Sequence, residues 1–159
     1  MIKMEISMRA FFASIIVLLS MSAAAFACPD YNQYGETYTL TGQQLYAPQD
    51  YPVTAGGGNS LTDCGFTNTG YVITAPDFSF NLSGTGAYDR LEIEVTAADC
   101  DTVLLVNSAD ATWFFDDDTN GNRPVVNLYG TSNTEGRVDV WVGTYGSSAC
   151  AATLQMETW

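Results

Sequence analysis

Arg90-Leu91-Glu92-Ile93-Glu94-Val95-Thr96 alternates apolar and polar side chains without a break. A period of two puts Leu91, Ile93 and Val95 on one face of a strand and Glu92 and Glu94 on the other, so one face is dry and one wet. The same alternation recurs in Asp77–Ser83, through Phe78, Phe80 and Leu82, and in Arg137–Gly143, through Val138, Val140 and Val142. Thr153–Thr158 carries it again with Leu154 and Met156. Val103-Leu104-Leu105-Val106 is short and wholly apolar, which suits a strand covered on both faces. Trp113–Phe115 and Val125–Tyr129 read as two strands joined by a polar loop over 116–124, and Tyr38–Leu40, Tyr51–Thr54 and Gly70–Thr74 carry a fainter strand pattern. The glycine run 56–60 reads as loop. No helical period occurs after residue 27. About eight short strands separated by frequent turns predict an all-β fold, an antiparallel β-sandwich or jelly roll.

The first 27 residues differ from the rest. Lys3 and Arg9 give a basic start, Ala10–Leu19 is apolar, and Ala25-Phe26-Ala27 places small side chains at the first and third positions before a cut. That is the pattern of a secretory signal peptide over 1–27. The apolar core falls well short of the roughly 20 residues a spanning helix needs. Residues 28–159 are then expected to form one secreted or periplasmic domain with no membrane anchor. Cys28 would be the first residue after cleavage, but Ala25 and bulky Phe26 fit an acylation motif poorly, and a lipidated Cys28 would strand one thiol of an even set of four.

Removing Lys3, Arg9 and Glu5 leaves three basic residues (Arg90, Arg123, Arg137) against 17 acidic ones, a formal charge of −14. Such a surface repels phosphate backbones and anionic lipids, which argues against nucleic-acid and membrane-surface partners. The chain contains no His, so no Ser-His-Asp triad, Cys-His pair or histidine-ligated zinc can be assembled. No catalytic residue is assigned. The remaining enzymatic alternative is a carboxylate pair acting on glycans, and a purely structural envelope component is a third reading.

Cys28, Cys64, Cys100 and Cys150 allow three pairings. Cys28–Cys64 and Cys100–Cys150 are preferred. Cys100 and Cys150 each precede a strand and so sit where sheet ends can meet, while Cys28 paired to Cys64 ties down the leading segment.

From Asp101 onward the chain resembles a known family. Asp101-Thr-Val-Leu-Leu-Val, then Trp113-Phe-Phe-Asp-Asp-Asp-Thr-Asn-Gly, then Val138-Asp-Val-Trp-Val-Gly-Thr-Tyr145 are similar to the bacterial pre-peptidase C-terminal domain. There an Asp opens a hydrophobic strand, an Asp-Asp turn with Gly follows, and a strand ends in aliphatic-Gly-x-aromatic. The likeness is clearest over 77–159, and residues 28–70 match no family pattern. The resemblance implies a β-sandwich of the kind attached to secreted peptidases, some of which take calcium or a polymeric substrate. No peptidase accompanies it here, so the expectation is a free-standing binding or accessory module whose partner is an extracellular protein or polysaccharide.

Asp116, Asp118 and Asn120 have the D-x-D-x-N-G spacing of calcium loops, in which alternate oxygens converge. No helix flanks them and the twelfth position is Asn127, so this is not an EF-hand. The other reading is an acidic turn in which Asn120-Gly121 supplies positive φ. Calcium is the cation this spacing suggests, and no cofactor is required. Asp101 is read as a carboxylate that hydrogen-bonds amides at its strand start. Tyr34 and Tyr38, in a tyrosine-rich leading segment with amide neighbours, are candidate ligand contacts. Trp141 lies opposite Val138, Val140 and Val142, so it is either a surface contact or covered by another segment.

Overall fold

The structure, a computed structural model, describes residues 27–159. The expected signal segment, except for Ala27, lies outside the described residues. Eleven strands form two sheets: β1 (Glu36–Thr41), β2 (Gln49–Ala55), β3 (Asn59–Ser60), β4 (Tyr71–Val72), β5 (Phe78–Ser83), β6 (Leu91–Ala98), β7 (Thr102–Asn107), β8 (Trp113–Asp116), β9 (Val125–Leu128), β10 (Gly136–Thr144) and β11 (Cys150–Thr158). Two single-turn helices, α1 (Gly42–Leu45) and α2 (Thr131–Thr134), and a 3-10 turn at Thr85–Ala87 lie between them.

β2-β11-β6-β9 is an antiparallel sheet of four strands. The larger sheet runs β1-β5-β10-β7-β8, and β4 and β3 continue from β10 at Thr144. The alternation read from the sequence decides the packing: Phe78, Phe80, Leu82, Val138, Val140 and Val142 meet Leu91, Ile93, Val95, Leu154 and Met156 in one buried cluster between the sheets. Every residue of β7 is buried, as its continuous apolar run predicts, because its other face is also covered. There Leu105 and Trp141 pack with Leu61 and Val72, against Phe66, Trp113 and Phe115.

Three expectations change. β1 pairs with β5 in parallel, from Glu36↔Phe78 to Thr41↔Ser83, so the sandwich is not wholly antiparallel. Asn59 and Ser60, read as loop, form a short strand on β4. The strand count exceeds about eight because the fainter segments Tyr38–Leu40, Tyr51–Thr54 and Gly70–Thr74 all hold strands and β3, two residues long and too short to show a period, is added. Cys28–Cys64 and Cys100–Cys150 are both formed, with sequence separations of 36 and 50, and no cysteine among the described residues is free. Among those residues no helix is long and apolar enough to cross a membrane.

Candidate functional site

β8 ends in the larger sheet and β9 begins in the smaller one, so the acidic loop after Asp116 crosses between them. Asp116 organises that crossing. Its Oδ2 accepts from the amides of Val125 (2.7 Å) and Thr119 (3.1 Å), and its Oδ1 accepts from the Thr119 hydroxyl (2.8 Å). Gly121 has φ +70°, the positive value expected of the Asn120-Gly121 turn. Asn120 turns the other way, donating from Nδ2 to Glu94 Oε1 at 2.9 Å.

The carboxylates brought together are therefore Asp116, Asp117 and Asp118, with one oxygen of each within 4.8 Å of the others. Asp117 was missed because an every-other-residue spacing skips it. Its carboxyl is pushed above the usual range by partial burial first, then by the like charges of Asp118, Asp116 and Asp101. Asp101 thus acts on this cluster through its charge. No side-chain hydrogen bond to the Asp101 carboxylate occurs among the described residues, contrary to expectation; its carbonyl accepts from the Tyr145 amide at 3.0 Å. Three carboxylates match the hard oxygen donors calcium takes and supply part of the six to eight it needs. The motif glycine Gly143 is structural. A Cβ there would lie 2.6 Å from the Tyr71 carbonyl oxygen, so β4 approaches β10 closely only because the position is Gly.

The aromatic candidates separate. Trp141 is fully buried and its indole N–H donates to the Thr74 carbonyl at 3.3 Å. It therefore cannot touch a ligand, because the segment around Leu61 and Val72 closes over that face. Tyr38 is half-buried and packs on Tyr51 and Phe80, with ring centroids 4.8 and 5.6 Å away. It belongs to the sandwich margin and is a poor ligand contact. Tyr34 stays exposed, with the Arg137 guanidinium 4.3 Å above its ring.

Each of the three arginines among the described residues makes an intramolecular contact. Arg137 also bonds Asp139, Arg90 bonds Glu92 and lies over Trp159 at 4.7 Å, and Arg123 donates to the Thr96 carbonyl. An open concavity of about 170 Å³ lies at the β6–β11 irregularity, lined by Ala97, Ala98, Asp99, Ala151, Ala152 and Thr153. It presents one carboxylate, where a glycoside-hydrolase reading needs two about 5–10 Å apart.

No protein-family description matches the chain, and no curated protein matches it. Among solved structures, the pre-peptidase C-terminal domain of a collagenase from Bacillus anthracis is similar at 13% identity and a TM-score of 0.44. The match covers 80% of this chain and 99% of that one.

Proposed function

We propose that the chain is an exported, non-catalytic β-sandwich module that binds an extracellular protein or polysaccharide and takes calcium at Asp116, Asp117 and Asp118. The observation that carries the binding reading is the display of large aromatics on a stapled scaffold. Tyr34, Tyr46, Tyr129 and Trp159 remain exposed although two aromatic-rich clusters have closed beneath them. Two disulfides and an even cysteine count fit an oxidising compartment. The crowding of like charge around Asp117 favours a cation there.

Co-sedimentation of residues 28–159 with insoluble polysaccharides and with casein-agarose tests the binding reading. Retention on one of them supports it, and no retention on any of them favours a structural role. Thermal melting in calcium and in chelator tests the metal reading, because a ligand bound only by the folded state must raise stability. An unchanged melting temperature removes calcium from the proposal.

A further inference from the structure

Four aromatic residues follow or precede the strand ends at one end of the sandwich, where β1, β5, β9 and β11 end and β6 begins. Leu91 pairs with Leu128 on one side and Thr158 on the other, and all three are buried. Alternation then turns their neighbours Arg90, Tyr129 and Trp159 to the solvent side. Arg90 and Trp159 exchange backbone hydrogen bonds of 3.3 and 3.0 Å, and the Arg90 guanidinium lies over the indole. Tyr129 is 60% exposed and Trp159 49%.

Around the corner, α1 presents Tyr46, which is 62% exposed and whose ring lies 5.9 Å from that of Tyr88. The Tyr88 ring rests on Gly42; a Cβ there would come within 2.7 Å of it. Its hydroxyl donates to Gln43 Oε1 at 3.4 Å, a bond that leaves the amide Nε2 unused. Thr158 joins the two parts by donating to the Gly42 carbonyl at 2.8 Å. Tyr46, Tyr88 and Trp159 are held before any ligand arrives, so little ordering of these rings is lost on binding.

We propose that Tyr46, Tyr88, Tyr129 and Trp159, with Gln43 and Arg90, form a binding platform for an uncharged polysaccharide. This rests on the binding reading above and names its site and ligand class. A pyranose ring offers an apolar C–H face for an aromatic ring and hydroxyls for a guanidinium or an amide. Charge decides among polymers. Glu92 and Glu157 adjoin the platform, Glu157 is held above the usual carboxylate range by burial and then by Glu92, and the chain carries −14 after residue 27. Uronic-acid and sulfated chains are repelled, whereas neutral hexose polymers are not.

Affinity electrophoresis of residues 28–159 through gels containing mannan, soluble β-1,3-glucan, hydroxyethylcellulose or alginate, with casein-agarose retention in parallel, tests the platform. The expected result is retardation by at least one neutral glucan or mannan and none by alginate. Tyr46→Ala and Trp159→Ala should each weaken it about tenfold, while Tyr145→Ala, an exposed tyrosine outside the platform, leaves it unchanged. Circular dichroism confirms that each variant is folded. Retention on casein alone, or glycan binding lost only in Tyr145→Ala, overturns the platform and leaves the binding reading standing. No binding to any polymer overturns both.

Discussion

Asp77 Oδ2 accepts a 2.7 Å hydrogen bond from the Val142 amide at the point where β10 has lost β5 and not yet met β4. The Val142 carbonyl is satisfied there by the Gly56 amide at 2.9 Å. A side chain and a loop amide thus complete a ladder that no strand covers, as buried backbone groups require. Burial pushes the Asp77 carboxyl up to about 7, against the opposing effect of the Val142 bond.

The pH dependence follows from that shift. An unfolded Asp77 releases its proton near 3.8 and the folded one near 7. Between those values the folded state holds more protons, so stability falls as pH rises through the window. Asp139, Asp117 and Glu157 are raised and act in the same sense. Asp30 and Asp110 are lowered, by Asn32 and by Ser108 respectively, so they weaken the fold only in stronger acid. The melting temperature should therefore rise by several degrees from pH 8 to pH 5. Asp77→Asn, which keeps an oxygen for Val142, should remove much of that rise. A wild-type profile flat over this range would contradict the assignment.

Arg137 is the counter-charge of a buried carboxylate. Asp139 is 1% exposed, accepts from Arg137 Nε at 2.8 Å and from the Ser79 hydroxyl at 2.6 Å, and Ser79 Oγ in turn accepts from the Gly35 amide. Arg137→Met leaves Asp139 buried without its partner, a change that typically costs about 3–5 kcal/mol. The loss should be smaller at pH 5 than at pH 8, because a lone Asp139 then takes a proton. Denaturant unfolding at the two pH values checks both statements.

The sheets were legible because Leu91, Ile93 and Val95 state their face by alternation, and so do Phe78, Phe80 and Leu82. The parallel pairing of β1 with β5 was not, because alternation fixes a face and carries no strand direction. Trp141 illustrates the same gap: its period placed it opposite the core, but only the chain segment around Leu61 and Val72 decides whether that face is wet. Within the acidic loop the spacing found Asp116 and Asp118. Asn120 departs because Glu94 offers it a partner 26 residues away in sequence, which no local motif records.

The Cys28–Cys64 bridge fixes two aromatic contacts as well as the chain. Tyr31 and Phe66 lie against Trp113, with ring centroids 6.0 and 5.4 Å away, and each is within three residues of a bridged cysteine. Replacing both cysteines by serine releases a loop whose closure is worth roughly 4 kcal/mol in the chain-entropy account. Expected are a stability loss of about 2–4 kcal/mol and a shift of tryptophan emission to longer wavelength as water reaches Trp113. A loss of stability with unchanged emission would mean that Tyr31 and Phe66 stay in place without the bridge.

Asp117 gives the metal proposal its sharpest test. Its raised carboxyl reports burial together with repulsion from Asp118, Asp116 and Asp101, so in the absence of a cation its negative charge disfavours the folded loop. Asp117→Asn removes that charge without touching the bonds of Asp116 to Thr119 and Val125. In chelator the variant should melt at or slightly above the wild-type temperature. In millimolar calcium the wild type should gain several degrees and the variant little, so the order of the two reverses. Asp116→Asn is the contrasting change. It weakens the acceptor that holds the loop to β9, and should lower the melting temperature with or without calcium. Equal calcium responses in the wild type and Asp117→Asn would place the ion elsewhere.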